Sequence, residues 1–429
     1  MKVLRHTDRQ FARELARIAA SASLFDPVIE QRTRAIVAAV AARGDAALLD
    51  FTEQFDGAKL TAQQLPVTRE ELLAASLKAG RPLRAAIAAA RLNIARFARK
   101  SRRKSWHARN SHGAVVGEKF DPFARVGIYV PGGTAPLAST ALMTITLARE
   151  AGCREIVVCS PCGKDGGLNP TIVFAARAAG ATEIYRVGGA QAIAALAYGT
   201  ETIRRVQKIF GPGNAYVSMA KRLLFGHVAV DLLAGPSELL VLADDSADAR
   251  FIAADLLAQA EHGSGHERIW LVTTSRQLLG AVEREISRQF PALSRRKMVQ
   301  RVLDRNAWLI LVKTMAEGVA LTNRLAPEHC EVIARRARAV SRGITTAGAL
   351  FLGNYSPTVL GDYVAGPSHV LPTDGAGVSF AGLTVDQFQR RTSVVEYSRA
   401  GLRRALPAVR QFAALEGLDG HGKSAEVRF

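Results

Sequence analysis

The fold class can be read most directly from residues 125–161, RVGIYVPGGTAPLASTALMTITLAREAGCREIVVCSP. A β-branched run leads into a glycine-rich turn, a helical apolar pattern follows, and a second β-branched run closes the stretch. Repeats of this unit at about 25–30 residues are typical of a parallel sheet with crossover helices. The stretch therefore predicts an α/β fold.

The same alternation extends from this stretch along most of the chain. It continues through residues 169–213, and a second series of short apolar strands runs from SELLVLAD at 237–244 to ALFLGN at 349–354. Residues 1–110 keep a helical apolar period, and the chain from about residue 382 is polar and helical in pattern. We expect two α/β domains in succession, with helical segments at both ends.

Size and composition set the broad class of the protein. Its 429 residues exceed one typical core, and no apolar run approaches the ~18 residues that span a bilayer. The N-terminus carries Asp8 and Glu14 and lacks the apolar core of a signal peptide. Four cysteines make no disulfide framework, and the CSPC motif at 159–162 has no second pair to complete a zinc ribbon. We expect a soluble, cytoplasmic protein with ordinary thiols and no membrane partner.

The chain is strongly basic, with a formal net charge of +19. Its densest block is RFARKSRRKSWHAR at 96–109, with seven Arg or Lys and no acid. Such a block could attract anionic substrates or nucleic acid. No nucleic-acid-binding motif accompanies it, so we expect a solvated helix end; a non-enzymatic protein that binds RNA through this block is the alternative.

Four glycine-rich turns are candidates for ligand contact: PGG at 131–133, GGAQ at 188–191, GPGN at 211–214 and GPS at 235–237. Ligands of open parallel sheets bind at the carboxyl ends of the strands, where glycine lets them approach the backbone. The polar residues beside these glycines are Tyr129, Gln191, Asn214 and Ser237. No G-x-G-x-x-G occurs, and no acidic residue follows at the usual spacing of about 20 residues, so the dinucleotide fingerprint is absent.

The segment DSADARFIAADLLAQAEHGS at 245–264 predicts a helix over 246–262 that ends at Gly263. Gln259 falls on the apolar stripe of this helix, with Asp255 and His262 along one flank. Two interpretations remain open. Gln259 and His262 are either a metal-ligand or substrate pair, or the polar rim of a capped helix end.

Further ionisable residues stand in glycine- or proline-containing turns. LAPEHCEV at 325–332 places Glu328 beside His329, and such a pair suits two separate proton transfers. Asp362 lies in a glycine-flanked loop, and His421 stands between two glycines near the C-terminus. With Gln259 and His262 they form a nitrogen and oxygen donor set plausible for Zn²⁺, although glutamine is a rare zinc ligand. His369 is expected to be structural.

Long stretches of this sequence closely resemble the histidinol dehydrogenase family, from about residue 20 to the end. The matching motifs are GIYVPGG, VGGAQAIAALAYGT, KIFGPGNAYV, AGPSELLVLAD, LLAQAEHG, APEHCE, FLGNYSPTVLGDYVAGPSHVLPT and EGLDGHGKS. The resemblance implies a homodimer with two incomplete Rossmann-like domains, which accounts for the missing fingerprint. It also implies oxidation of L-histidinol to L-histidine in two NAD-dependent steps at one zinc site per subunit.

The resemblance also implies a domain division. Residues 1–22 are a helical segment, and residues 23–123 with 238–380 form a first α/β domain that carries most zinc-site residues. Residues 124–237 form a second, NAD-binding α/β domain. Residues 381–429 are a helical tail that reaches the partner subunit.

The family's functional residues carry over position by position. The implied zinc ligands are Gln259, His262, Asp362 and the partner's His421. The implied NAD contacts are Tyr129, Gln191 and Asn214, and the implied substrate contacts are Ser237, Glu416, His329 and the four zinc ligands. His329 would take the hydroxyl proton and Glu328 would activate a water for the second oxidation.

A few positions depart from the family pattern. Ser368 stands where many members have Asn, and Cys162 stands where Pro is expected. These departures and the basic block leave an alternative open, a related zinc and NAD enzyme acting on another polar alcohol such as a sulfonated diol. Glu416 argues against that alternative, because a carboxylate in the pocket would repel a sulfonate.

Overall fold

The computed structural model describes residues 1–19, 26–132 and 136–429. It has an α/β fold with two parallel sheets and one small antiparallel sheet, which confirms the predicted fold class. Gly133 of the predicted PGG turn and the predicted domain boundary after residue 22 lie outside the described residues.

The strands follow the β-branched runs of the sequence. In chain order they are β1 Lys2–Arg5, β2 Trp106–Arg109, β3 Val115–Pro122, β4 Arg125–Tyr129, β5 Glu155–Cys159, β6 Glu183–Tyr185, β7 Lys208–Phe210, β8 Ala229–Val230, β9 Glu238–Ala243, β10 Arg268–Thr273, β11 Ala307–Leu311, β12 His329–Ile333, β13 Ala349–Leu352 and β14 Gln389–Glu396.

The helices alternate with most of these strands. They are α1 Phe11–Ala19, α2 Pro27–Arg43, α3 Asp45–Asp56, α4 Arg69–Lys78, α5 Arg81–Ser101, α6 Ala138–Ala151, α7 Pro170–Ala179, α8 Gly189–Tyr198, α9 Ala215–Leu224, α10 Ala249–Ala260, α11 Arg276–Gln289, α12 Arg296–Arg305, α13 Met315–Leu325, α14 Ala337–Ser341, α15 Val359–Tyr363, α16 Arg399–Glu416 and α17 Asp419–Glu426. Short 3₁₀ turns occur at Ala62–Gln64, Phe290–Ala292, Ala376–Val378 and Val385–Phe388.

The larger sheet has the order β1-β11-β10-β9-β12-β13, and all its pairs are parallel. Helices α10, α11 and α12 cover one face, and α1 and α13 pack on the other. The helical pattern predicted for residues 1–22 missed β1. This short edge strand exists because Lys2–Arg5 pairs in parallel with β11, a contact across about 300 residues that local periodicity does not report.

The smaller parallel sheet has the order β6-β5-β4-β7-β8. One face packs against α5, α6 and α7, and the other against α2, α3, α8 and α9. The N-terminal helices α2 to α5 therefore lie on this sheet, and not with residues 238–380 as the predicted domain grouping placed them. Their apolar stripes predict burial, but a stripe does not specify which sheet it covers.

The third sheet is antiparallel, with the order β14-β3-β2. Its strand β14 corrects the prediction that residues 381–429 are helical throughout, because Gln389–Glu396 pairs along its length with β3. Helices α16 and α17 follow it. The basic block at 96–109 begins at the end of α5, as expected, but its last residues form the exposed strand β2, so the prediction of a helix end is wrong for Trp106–Arg109.

The predicted site residues lie at opposite kinds of edge in the two parallel sheets. The turns at 188–191 and 211–214 follow β6 and β7, at the carboxyl edge of the smaller sheet. The turn at 235–237 instead precedes β9, and β12 beside it begins at His329, so these residues lie at the amino edge of the larger sheet. The expectation that all four turns lie at carboxyl ends of strands is wrong for Ser237. Across residues 1–19, 26–132 and 136–429, no helix is long and apolar enough to cross a membrane.

Candidate active site

His329 opens strand β12 and is only 2% exposed. Its Nδ1 lies 3.0 Å from the backbone oxygen of Glu238, and a carbonyl oxygen can only accept, so Nδ1 carries the proton. The other ring nitrogen, Nε2, is buried and has no hydrogen-bond partner among the described residues. Burial lowers the pKa of His329 to about 4. The ring is therefore a neutral base with an available lone pair on Nε2.

Glu328 precedes it and is also buried. Its Oε2 accepts a hydrogen bond of 2.8 Å from the backbone N–H of Glu238, and it lies 3.5 Å from Nδ1 of His329. Desolvation raises the pKa of Glu328 well above its usual value, and the charges of Glu238 and Asp362 raise it further. A raised pKa makes the carboxylate a stronger base, which suits a group that transfers protons.

A buried ionic network lies behind Glu328, and sequence reasoning did not find it. The Glu238 side chain accepts from the backbone N–H of Glu328 at 3.3 Å and from Arg268 at 3.3 Å. Arg268 also donates to Asp374 at 3.3 Å. Burial raises the pKa of Glu238 to about 8, and the Arg268 charge opposes that rise. In the sequence, only the position of Glu238 directly after the candidate residue Ser237 could have indicated this network.

Gln259 and His262 lie at the end of α10. Gln259 is 2% exposed, as its position on the apolar stripe predicts, and its side-chain amide nitrogen lies 3.3 Å from Nδ1 of His262. The helix ends at Ala260, two residues earlier than predicted, because the chain turns at Glu261 and reaches a left-handed backbone at Gly263. His262 is therefore exposed in the turn after the helix.

Asp362 lies in α15 and is held by His369. Nδ1 of His369 donates to the backbone oxygen of Asp362 at 3.1 Å and lies 3.8 Å from its carboxylate. Nε2 of His369 lies 3.2 Å from Oγ1 of Thr140, in α6 of the smaller sheet's helical layer. This geometry agrees with the structural role expected for His369. After desolvation, the charge of Asp362 is the next influence on the pKa of His329, which places Asp362 near the base.

A second carboxyl pair lies among these elements. Oε1 of Glu331, in β12, accepts from the backbone N–H and the hydroxyl of Thr358 at 2.7 and 2.5 Å. Asp255, in α10, lies against the same carboxyl group. Desolvation raises the pKa of Asp255 to about 6 and that of Glu331 to about 8, and the charge of Asp255 adds to the latter rise. The pair connects the helix of Gln259 with the strand of His329 and the start of the segment that carries Asp362.

His421 and Glu416 lie apart from this cluster. His421 is exposed in α17, and Glu416 is the exposed last residue of α16. Within the part of the chain that the structure describes, no three His, Cys, Asp or Glu side chains are gathered at one place suited to a metal ion. One chain consequently does not bring His421 together with His262 and Asp362.

The predicted cofactor contacts lie at the carboxyl edge of the smaller sheet. The backbone N–H of Gly189 donates to the Tyr129 hydroxyl at 3.1 Å, and burial raises the pKa of Tyr129 to about 12. Gln191 is 1% exposed, and its Oε1 has no partner in the described ranges. Asn214 is exposed and caps α9 by accepting from two backbone N–H groups.

The same edge has the backbone features of a ligand cradle. A Cβ atom at Gly188 would stand 2.5 Å from Cβ of Pro161, and one at Gly132 would stand 3.1 Å from Oγ of Ser160. The two glycines are thus packed too closely against Ser160 and Pro161 to accept side chains. Together with the unpartnered Gln191 oxygen, these turns fit a polar dinucleotide.

The donor set of the larger sheet fits zinc only in part within one chain. Gln259, His262 and Asp362 offer one amide, one imidazole and one carboxylate, which are zinc ligand types of unequal frequency. A structural or catalytic zinc site needs at least three protein ligands and a fourth position. These three residues fit such a site if a further ligand arrives from outside the chain.

Comparison with known proteins decides the family. The family model for histidinol dehydrogenase matches residues 21–429. The chain belongs to the histidinol dehydrogenase family. The predicted resemblance is therefore confirmed over nearly the whole sequence.

Individual members of the histidinol dehydrogenase family agree with this membership. The chain is 47% identical over 402 residues to the histidinol dehydrogenase of Geobacillus kaustophilus, covering 93% of this chain and 94% of the relative. It is 45% identical over 399 residues to that of Synechococcus sp., covering 93% and 92%. The crystal structure of histidinol dehydrogenase from Elizabethkingia anophelis superposes with a TM-score of 0.94 at 33% identity, covering 100% of this chain and 98% of that one. The chain is an oxidoreductase of the histidinol dehydrogenase family.

The departures from the histidinol dehydrogenase pattern lie in the interior. Ser368 is buried, and its hydroxyl accepts from the backbone N–H of Val370 at 3.3 Å. Cys159 and Cys162 are buried free thiols, and burial raises the pKa of both. The CSPC motif thus provides packing at the end of β5, as expected of ordinary thiols.

Proposed function

We propose that this protein oxidises L-histidinol to L-histidine through L-histidinal, using two NAD and one zinc ion per subunit. The observation that carries the proposal is the buried, unpartnered Nε2 of His329, whose ring is neutral and whose Nδ1 is fixed by Glu238. A base with this geometry is suited to remove the proton of an alcohol. Family membership supplies the substrate.

The chain's own residues would hold the two cofactors. Gln259, His262 and Asp362, with His421 of the partner subunit, would bind zinc, which when bound supplies a Lewis acid that lowers the pKa of the substrate hydroxyl. NAD would supply the hydride acceptor for both oxidations. Its proposed contacts are Tyr129, Gln191 and Asn214.

His329 and Glu328 would divide the proton transfers. His329 takes the hydroxyl proton of histidinol on Nε2 in the first oxidation. Glu328 then removes a proton from the water that adds to the aldehyde, because a raised pKa makes its carboxylate a stronger base. Ser237, whose hydroxyl interacts with the Glu328 carboxyl, would contact the substrate beside it.

We propose further that the active protein is a homodimer whose C-terminal helices complete each other's sites. Helix α16 exposes Phe412 and Leu415, the latter 76% exposed, and Val427, directly after α17, is also exposed. Apolar side chains on one helical hairpin favour burial against another chain. In that arrangement the partner's His421 would reach the zinc, and the partner's Glu416 would face the substrate ammonium. The cytoplasmic location and the absence of a nucleic-acid partner stay predictions.

A second candidate function is oxidation of another polar alcohol such as a sulfonated diol. The net charge of +19 favours it, because a basic protein attracts anions. NADH formation should be followed with L-histidinol, other amino alcohols and anionic diols at saturating NAD on the zinc-loaded protein. We expect L-histidinol to give the highest kcat/KM and two NADH per molecule. Preference for an anionic diol would reject the proposal in favour of the second candidate.

A further inference from the structure

The smaller parallel sheet raises a question about how the protein would bind the adenosine half of NAD. Its order β6-β5-β4-β7-β8 corresponds to 3-2-1-4-5 in the order of the strands along the chain. That is the order of the dinucleotide-binding fold, in which an acidic residue beyond the glycine-rich turn binds the ribose hydroxyl. Here β5 ends in Cys159 and continues with Ser160, so the expected place holds no acid. This step rests on the proposed NAD site.

An acid from another element lies at this place. Asp56 is the last residue of α3, and Gly57, with a left-handed backbone, ends the helix there. A Cβ at Gly57 would meet the Lys164 side chain at 3.4 Å, so the end of α3 lies against the loop that follows β5. The charge of Asp56 acts, after desolvation, on the pKa of both Tyr129 and Cys162. Asp56 is thus near the carboxyl ends of β4 and β5.

Among the described residues, the Asp56 carboxyl has no hydrogen-bond partner that would explain its position. Its Oδ2 is buried and makes no hydrogen bond within residues 1–19, 26–132 and 136–429. Desolvation raises its pKa to about 6. A partly buried carboxyl without a partner disfavours folding, and such groups are rare unless they serve a ligand.

Two further polar atoms at the same edge are also unpartnered. Oγ of Ser160 and Oε1 of Gln191 are buried and lack hydrogen-bond partners among the residues described. Ser160 adjoins the Gly132 turn, and Gln191 follows the Gly188 turn. Three unsatisfied groups around one glycine-rich edge indicate a missing ligand with several hydroxyl or amide groups.

We propose that Asp56 binds the adenosine ribose hydroxyls of NAD and selects NAD over NADP, in place of the acid missing after β5. A carboxylate accepts from both hydroxyls of an unmodified ribose. It repels the 2′-phosphate of NADP, because both groups are anionic. The proposal deepens the NAD site by naming its specificity-determining residue.

The test measures dissociation constants of NAD, NADP and 2′-deoxyadenosine NAD by calorimetry on the zinc-loaded protein without substrate. We expect Asp56→Asn and Asp56→Ala to weaken NAD binding about tenfold or more, as for loss of a charged hydrogen bond. NADP binding should stay equal or improve, so the NAD preference should shrink. The native protein should bind the 2′-deoxy compound more weakly than NAD, and Asp56→Ala should bind both alike.

Matched controls separate this role from a structural one. Asp50→Asn, on the same helix, changes an exposed carboxylate paired with Arg43 and should leave all three constants unchanged. The melting temperatures of the Asp56 variants should equal or exceed the native value, since an unpartnered buried carboxyl is removed. Gln191→Ala tests the NAD site itself.

The outcomes distinguish the proposed NAD site from the proposed role of Asp56 within it. If Gln191→Ala weakens NAD binding while both Asp56 variants keep native NAD and NADP constants, the NAD site stands and the role of Asp56 is wrong. If none of the three variants changes NAD binding, the proposed NAD site is wrong, and the role of Asp56 falls with it.

Discussion

Among individual side chains, the tautomer of His329 has the largest chemical consequence. The Glu238 carbonyl accepts from Nδ1, which leaves the lone pair on Nε2, and burial keeps the ring neutral by lowering its pKa to about 4. The same residue Glu238 donates its backbone N–H to Glu328. One backbone position therefore orients both proposed proton-transfer groups, through the pairing of β9 with β12.

The first prediction concerns this base. His329→Asn should reduce histidinol turnover by about 10²–10⁴-fold, because the amide has no basic lone pair. Zinc content, measured by atomic absorption, should remain native. Glu328→Gln is the matched comparison, and it should slow histidinal oxidation more than histidinol oxidation, since that step alone needs an activated water. Loss of zinc from His329→Asn would make the residue a ligand instead of a base.

The acid limb of the pH profile gives a second prediction for the same residue. A base must be deprotonated to act, and a pKa lowered to about 4 keeps His329 neutral at every pH above about 5. Histidinol turnover under saturating zinc should therefore not show a loss with the usual histidine pKa near 6.5. A titration near 6.5 that disappears in His329→Asn would contradict the buried, neutral ring.

The sequence predicted Glu328 and His329 as site residues, but it did not predict the buried residues that hold them in place. Glu328 and His329 are adjacent in the chain, so their association needs no tertiary information. Glu238, Arg268 and Asp374 come together only because β9 lies between β10 and β12 and a distant loop returns to them. Local patterns do not report which strands are neighbours.

Among the secondary-structure elements, α10, β12 and the segment 358–362 are joined by the Asp255 and Glu331 carboxyls. These three elements carry Gln259, His329 and Asp362. Both acids have pKa values raised by burial, to about 6 and about 8, so one proton is shared between them near neutral pH. The pair would fix the relative position of the proposed ligands and the base.

Thermal stability gives the third prediction. An acid whose pKa is higher in the folded than in the unfolded protein stabilises the fold fully below its unfolded pKa of ~4, and that stability is lost as pH rises through the folded pKa. The melting temperature should therefore fall as pH rises from ~4, the unfolded pKa of both acids, to about 8, the folded pKa of Glu331, and between pH 6 and 8 the fall comes from Glu331. Asp255→Asn provides a permanent N–H donor to Glu331, so its fall should be smaller.

Scanning calorimetry of the zinc-free protein checks this expectation. Asp245→Asn is the control, because Asp245 is an exposed partner of Arg335 at the surface. It should keep the native dependence on pH. The proposed Asp255 and Glu331 pair is wrong if the melting temperatures of Asp255→Asn and of the native protein fall by the same amount between pH 6 and 8.

Helices with a long apolar pattern were predicted well. Strands that depend on pairing with a distant strand were not. The helix around Gln259 was placed within a few residues, since its apolar stripe covers three turns. Strands β1, β2 and β14 were missed. β1 and β2 are each four residues long, and β14 is mostly exposed, so none of them shows the apolar alternation that marks a strand.

In the whole molecule, the predicted site residues divide into two groups. Glu328, His329, Gln259, His262 and Asp362 lie around the amino edge of the larger sheet, whereas His421 and Glu416 are exposed on the C-terminal helices. The helical hairpin adjoins the rest of the chain through the antiparallel sheet and the hydrogen bonds from Arg404 to the backbone oxygen of His112. The two groups would meet only if the hairpin of one subunit reaches the sheet of another.

The arrangement of domains was the least predictable property. Alternation along the chain predicted two parallel sheets, which are present. The apolar stripes of α2 to α5 did not reveal that these helices cover the smaller sheet, because burial of a stripe is equally favourable against either sheet. The proposed contribution of the tail to a partner subunit came from family resemblance and not from any local pattern.

Subunit complementation tests the two-chain site most directly. His421→Ala and His262→Ala chains should each be nearly inactive and low in zinc, since each removes one ligand from every site. After subunit exchange, confirmed by mass-tagged chains, a mixed dimer would have one site with both defects and one with neither. Mixing should then restore histidinol oxidation and zinc binding in part. If mixed dimers form and neither activity nor zinc returns, each chain closes its own site, and the proposed shared site is wrong.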